Sequence, residues 1–193
     1  MLFIIPFFGF GQICITLDSN SQNSVQYVDS VTYCVDSVSC YDGCDGRIVI
    51  NVYPQLNAFY RYNWDSVPQL GENIRDSICA GTPGVTITDT NNNFIVYIDI
   101  PIYEPSPINN FANITDPTCF GYGDGSIQLN VNGTDSIPQY DWVGPNGYVN
   151  INEDINGLRS GLYSLLITDI SGCFLRDSFY VTSPNPVTVS FDI

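Results

Sequence analysis

One block of this sequence occurs twice, and that limits the fold to units of about 80 residues. Cys40-Tyr-Asp-Gly-Cys-Asp-Gly46 and the run Arg47-Ile-Val-Ile-Asn-Val52 return as Cys119-Phe-Gly-Tyr-Gly-Asp-Gly125 and Ser126-Ile-Gln-Leu-Asn-Val131, shifted by 79 residues. A second pair, Ile78 to Asp89 and Leu158 to Asp169, agrees at a shift of 80. Such a unit is too long for one turn of a solenoid and has the size of a small independent domain.

The punctuation between blocks sets the boundaries. Tyr103-Glu-Pro-Ser-Pro-Ile108 closes one unit, and Thr182-Ser-Pro-Asn-Pro-Val187 closes the next. The organisation read from this is a first unit over 27–104 and a second over 105–184. An N-terminal segment over 12–26 precedes them, and 185–193 forms a linker or the start of a third unit, since Val187–Ile193 matches Ile108–Ile114. That match favours a piece of a longer repeat protein over a closing strand that resembles a linker. Residues 1–11, Met1-Leu-Phe-Ile-Ile-Pro-Phe-Phe-Gly-Phe-Gly11, read as a signal-peptide remnant: an apolar stretch too short to span a bilayer, ending in small residues before Gln12, without a basic start. The competing reading is a hydrophobic first strand.

Composition narrows function. The net charge is −15 and the five basic residues are all Arg, with no Lys and no His. Without a cationic patch to neutralise phosphates, nucleic acid is excluded as a partner, as is an anionic membrane surface. Without His or Lys, Ser-His-Asp and Cys-His catalysis, Schiff-base chemistry and His-bearing zinc sites are all missing. Paired carboxylates remain, but Asp42, Asp45, Asp89, Asp124 and Asp169 sit in turn contexts where Asp serves the backbone. The chain therefore reads as not an enzyme, and no cofactor is called for. Calcium is a further reading: Asp45 with Asp89, and Asp124 with Asp169, would have to meet near one end of each unit.

Seven cysteines in a chain read as exported imply disulfides. In the second unit only Cys119 and Cys173 exist, so they pair if each unit folds alone; the loop would be worth roughly 4 kcal/mol. Cys44 and Cys79 replace Gly123 and Arg159 and are expected to pair with each other. Of the remaining three, Cys34–Cys40 is preferred, leaving Cys14 free or bonded elsewhere.

Each unit is a series of short alternating apolar runs separated by Gly, Pro, Asn and Asp. They are Val25–Val35, Arg47–Tyr53, Phe59–Trp64, Val85–Thr88 and Phe94–Ile102, then Ile108–Ile114, Ser126–Val131, Gln139–Val143, Leu162–Thr168 and Phe174–Thr182. The only helical hint is a single turn at Asp154–Leu158. The fold class is all-β, as two tandem immunoglobulin-like β-sandwich domains. Tyr62-Asn-Trp64 recurs as Tyr140-Asp-Trp142. A Trp at mid-unit would plug the space between two sheets; the other use of such a pair is an exposed carbohydrate platform made by Tyr62, Trp64, Tyr140 and Trp142.

Taken together, Cys-x4-Asp-Gly before an alternating strand, Tyr-x-Trp, and Gly-x-Tyr-x3-(Ile/Val)-Thr-Asp-x2-Gly-Cys resemble the SprB-type repeat of Bacteroidota cell-surface proteins. The second unit matches at Cys119, Asp124, Gly125, Tyr140, Trp142, Gly161, Tyr163, Thr168, Asp169, Gly172 and Cys173. The first keeps Cys40, Asp45, Gly46, Tyr62, Trp64, Gly81, Thr88 and Asp89, but has Pro83 for the Tyr and Asn93 for the second Cys. The resemblance covers about residues 27–193. It implies a secreted, surface-anchored adhesin of the kind associated with gliding motility and type IX export, and it carries over no catalytic residue. Asp-Ser-(Val/Ile) triplets fit a Bacteroidota O-glycosylation pattern at Ser30, Ser37, Ser66, Ser77 and Ser136. Two readings of function follow: a structural spacer whose partners are neighbouring repeats of the same chain, and a module binding extracellular polysaccharide or another surface ligand, with calcium if at all.

Overall fold

The computed structural model describes residues 12–18, 30–53, 60–65, 72–89, 94–134 and 136–190. Residues 1–11, Ser66 and Asn93 lie outside these, so the signal-peptide reading and one glycosylation candidate have no structural counterpart here. The chain divides into two compact units, Met1–Pro105 and Ser106–Ile193. Each is an immunoglobulin-like sandwich of antiparallel strands.

In the first unit the strands are β1 (Ile13–Asp18), β2 (Ser30–Asp36), β3 (Gly46–Tyr53), β4 (Tyr60–Trp64), β5 (Ile74–Ile78), β6 (Gly84–Asp89) and β7 (Phe94–Asp99). They form sheets of order β1-β2-β3-β5 and β4-β6-β7. In the second unit they are β8 (Asn109–Thr115), β9 (Gly125–Asn132), β10 (Gln139–Val143), β11 (Val149–Asn150), β12 (Ile155–Leu158), β13 (Gly161–Thr168) and β14 (Phe174–Val181). Their sheets are β12-β9-β8 and β11-β10-β13-β14.

Period-two alternation decides which residues face inward. Ile48, Ile50 and Val52 on β3, and Tyr163, Leu165 and Ile167 on β13, are nearly or wholly buried, while their neighbours in sequence are turned outward or half-buried. The first core gathers these β3 residues with Val31, Tyr33, Val85, Ile87 and Ile100. The second gathers Ile127, Leu129, Ile155, Leu158 and Val181 around the β13 residues.

Four strands have no counterpart among the ten runs read from sequence. β1 lies antiparallel on β2, with Ile13 opposite Val35 and Asp18 opposite Ser30. β5 and β12 pair with β3 and β9, and β11 adds two residues beside β10. The single helical turn expected at Asp154–Leu158 is strand β12. Its two buried residues, Ile155 and Leu158, are three apart, which is helical spacing, because the register slips between Asn156 and Leu158 and Gly157 has φ +71°. A bulge of this kind puts two residues against one and breaks the alternation. β5 has the same irregularity, with Ser77 at φ 58° in the place of Gly157.

The path of the chain gives each sandwich two distinct ends. In the second unit Asn109 pairs with Asn132 at the incoming end, where the β13–β14 turn also lies. Thr115 pairs with Ser126 at the outgoing end, together with Gly125, Leu158, Gly161 and Val181. The first unit is built the same way: the β2–β3 loop, Ile78 and Ile102 share its outgoing end, and the Asp89 and Phe94 backbone pair is at the other.

Trp142, 1% exposed, should be a large single contributor to the second unit. Trp142→Ala is expected to cost about 3–5 kcal/mol, read as a lowered urea midpoint for that unit by circular dichroism.

Candidate functional site

The repeated residues converge on two places in each unit. The first is the core. Tyr62, Trp64, Tyr140 and Trp142 are all buried. The indole N–H of Trp64 donates to the Glu72 carbonyl at 3.3 Å, and that of Trp142 to the Asn152 carbonyl at 3.0 Å. An arginine, Arg75, stacks over the Trp64 ring at 5.6 Å, and Phe179 lies 5.7 Å from Trp142. Burial, reinforced by Glu153, pushes the Tyr140 hydroxyl up to about 12. These four residues offer no ring face to a sugar: strand alternation turns them inward, so the platform reading of Tyr62, Trp64, Tyr140 and Trp142 is replaced by a core role.

The second place is the loop that carries Cys40 or Cys119, at the outgoing end. The backbone N–H of Ser39 donates to Asp45 Oδ1 at 2.9 Å and its hydroxyl to Oδ2 at 2.5 Å. Thr118 does the same to Asp124, at 3.0 and 2.6 Å. Each loop is thus closed by a carboxylate that accepts two hydrogen bonds from a residue six positions earlier. The signal is present in the sequence as Ser39-x5-Asp45 and Thr118-x5-Asp124, but a hydroxyl before a cysteine carries no motif of its own. Both carboxyl groups are held below the ordinary value of 3.8, first by the hydroxyl hydrogen bond and then by the backbone one. Asp116 at the same end accepts from the backbone N–H of Thr182 at 2.8 Å, and from its hydroxyl, where the chain leaves the second unit.

The acidic residues considered for calcium do not meet. Asp124 precedes β9 at the outgoing end. Asp169 follows β13 at the incoming end and accepts from the backbone N–H of Cys173 at 2.9 Å. The length of β13 separates them, roughly 20 Å at 3.3 Å per residue. Asp45 and the buried Asp89 are likewise at opposite ends of the first unit. No ion can bridge either pair. Among the described residues no group of three or more His, Cys, Asp or Glu could hold a metal ion.

The disulfides depart from the expected set at two points. Cys14 bonds to Cys34, not Cys34 to Cys40, because β1 sets Cys14 directly opposite Cys34 on β2. Cys44 is joined to Cys79. Cys119 is an exposed free thiol and is not joined to Cys173. The two stand at opposite ends of the unit, as Asp124 and Asp169 do, so no side chain can span the gap. Cys40 and Cys173 are each disulfide-bonded.

Of the glycosylation candidates, Ser37, Ser77 and Ser136 are exposed and Ser30 is half-buried at the start of β2. The outer face of β10-β13-β14 carries an open groove of about 550 Å³, lined by Asp141, Ser164, Leu166, Arg176 and Ser178. The matching face of the first unit is occupied differently: the Tyr97 hydroxyl lies 2.6 Å from Asp65 and 2.9 Å from Asp99, bonds that hold it well above the ordinary tyrosine value.

Fold and loop together define a disulfide-bearing immunoglobulin-like bead. The SprB repeat family profile matches residues 111–147, which run from β8 through the latched Cys119 loop to the turn after β10. This segment is similar to SprB repeats, a structural repeat family rather than an enzyme family, and one that suggests a cell-surface protein. No curated protein matches the chain. Among solved structures it is similar to the three N-terminal domains of the bacteriophage RB49 Highly Immunogenic Outer Capsid protein (Hoc), at 17% identity and a TM-score of 0.43. The match covers 75% of this chain and 56% of that one, so the chain spans little more than half of its length.

Two measurements check the loop. Because a depressed carboxyl pKa stabilises the fold above the unfolded value, that contribution is lost as pH falls below about 3.8 through the folded value. Carboxyl titration by NMR should place Asp124 below 3.8, and Thr118→Val should return it upward. Thiol labelling of the folded, oxidised chain should find one reactive cysteine, and none after Cys119→Ser.

Proposed function

We propose that this chain is a non-enzymatic structural segment of a secreted cell-surface adhesin, its units serving as spacers in adhesion or gliding motility. The observation that carries the reading is that the residues the two units share go into the core and the loop latch, while the chain enters and leaves the second unit at opposite ends. Asn109 begins β8 at one end and Thr182 leaves β14 at the other. Tension along the chain therefore loads β8 against β9 and β14 against β13 in shear, with every backbone hydrogen bond of a ladder sharing the load at once. Disulfides fit the oxidising surroundings of a surface protein.

A second reading is recognition of an extracellular polysaccharide. The groove on the outer face of β10-β13-β14 favours it, since Asp141, Ser164, Arg176 and Ser178 supply donors and acceptors beside the apolar Leu166.

The two readings separate by single-molecule pulling and by glycan binding. With handles at positions 107 and 184, the second unit should rupture at several times the force needed with handles at 160 and 183, which peel β14 from β13 one rung at a time. Equal forces would remove the load-bearing argument. Saturable binding to a panel of marine and cell-wall polysaccharides, with or without calcium and abolished by Arg176→Ala, would move the function to the groove.

A further inference from the structure

Cys119 is the one free thiol of a chain whose other cysteines are all disulfide-bonded. It is not stranded by a failed loop. Its loop carries the same carboxylate latch as the loop of Cys40, and the two loops turn alike: Asp42 has φ 58° and its counterpart Gly121 has φ 75°. Cys40, at the corresponding position of the first unit, is in a disulfide. The same loop thus presents the same cysteine twice, bonded once and free once. Phe120 and Tyr122 beside Cys119 are 60% and 61% exposed, an apolar rim around the thiol.

The position of Cys119 says what kind of group would reach it. It lies at the outgoing end, where Asp116 accepts hydrogen bonds from Thr182 and the chain leaves the unit. Whatever follows Thr182 in the chain is delivered to that end. The chain enters a unit of this kind at its incoming end, and there the β13–β14 turn carries Cys173, which is disulfide-bonded but not to Cys119.

We propose that Cys119 is the loop half of a covalent joint whose other half is a cysteine, at the turn position Cys173 holds, in a further repeat that follows Thr182. Formation is a two-electron oxidation: the Cys119 thiolate attacks a disulfide-class oxidant, and the turn thiolate then displaces the oxidant from the mixed disulfide. One S–S bond forms between the two cysteines and the oxidant's S–S bond breaks; the two thiol protons pass to the oxidant, which leaves as a dithiol or two thiols. In a spacer such joints would link successive beads covalently, so the inference deepens the spacer reading and rests on it.

The test extends the chain by one repeat. A copy of residues 115–193 is added directly after Ile193, which preserves the 79-residue phase of the sequence. The product is refolded in a glutathione redox buffer, alkylated, and mapped by proteolysis and mass spectrometry. The expected result is a bond between Cys119 and the added turn cysteine, with Cys119 lost as a labelling site and the added copy's own loop cysteine labelled instead. Changing the added turn cysteine to Asn, the residue at the matching place in the first unit, should restore labelling of Cys119 without changing the circular dichroism. If Cys119 stays labelled, or is found bonded to glutathione or to any other cysteine, the proposal is wrong. That outcome would leave the pulling and glycan results untouched, so the two ideas fail separately.

Discussion

A tryptophan can be buried between two sheets only if something accepts its N–H, and that requirement organises the second unit. The indole of Trp142 fills the centre of the sandwich and donates to the Asn152 carbonyl. The segment after β10 has to bring that carbonyl within reach, so it folds back through the short turn at Pro145–Gly147 and the two-residue β11. The same fold-back sets Tyr148 edge-on against Tyr163, at 5.3 Å. Gly144 has to be a glycine here, because a Cβ would stand 2.6 Å from the Tyr163 ring. The Tyr163 hydroxyl then donates to the Arg159 carbonyl at 3.0 Å and fixes the turn into β13. Burial of one large ring thus accounts for the path of about twenty residues around it.

The first unit keeps the tryptophan and solves the neighbouring problem by other means. Pro83 stands where Tyr163 does, so the hydroxyl tie is gone. In the second unit Gly123 faces the Arg159 side chain, with a hypothetical Cβ 3.3 Å from it. Those two positions are Cys44 and Cys79 in the first unit, joined by a disulfide. Covalent closure between loop and turn takes the place of the tyrosine hydrogen bond. The Cys44–Cys79 pair and Pro83, which look unrelated in the sequence, belong to one exchange.

Much of this architecture could be read from the chain, for identifiable reasons. Strands that alternate cleanly, such as Gly46–Tyr53 and Gly161–Thr168, announce themselves through period two. The aromatic pair was visible because it recurs. What escaped was whatever interrupts a pattern. The bulge at Gly157 disguised β12 as a helical turn, and β1 has no partner copy in the second unit against which to recognise it. Pairing cysteines within a unit assumed that shared membership means proximity, whereas the length of β13 keeps Cys119 and Cys173 apart. The Asp latch is hidden because Asp beside Gly is a common turn former on its own, and only the folded loop brings it to the hydroxyl six residues before it.

Strand β1 changes what the two units show to other molecules. In the first unit it covers the free side of β2 and is fastened there by Cys14–Cys34. In the second unit β8 is the last strand of its sheet, and no strand among the described residues lies beside its outer backbone groups. An uncovered edge of that kind is a template on which a foreign strand can be added. Phe111, 73% exposed on β8, gives such a strand something apolar to pack on. When many copies crowd a surface, the edge of β8 is where they would begin to stick sideways. The net charge of −15, with only five arginines to offset it, sets mutual repulsion against that outcome and gives the chain's acidity a colloidal purpose apart from any ligand.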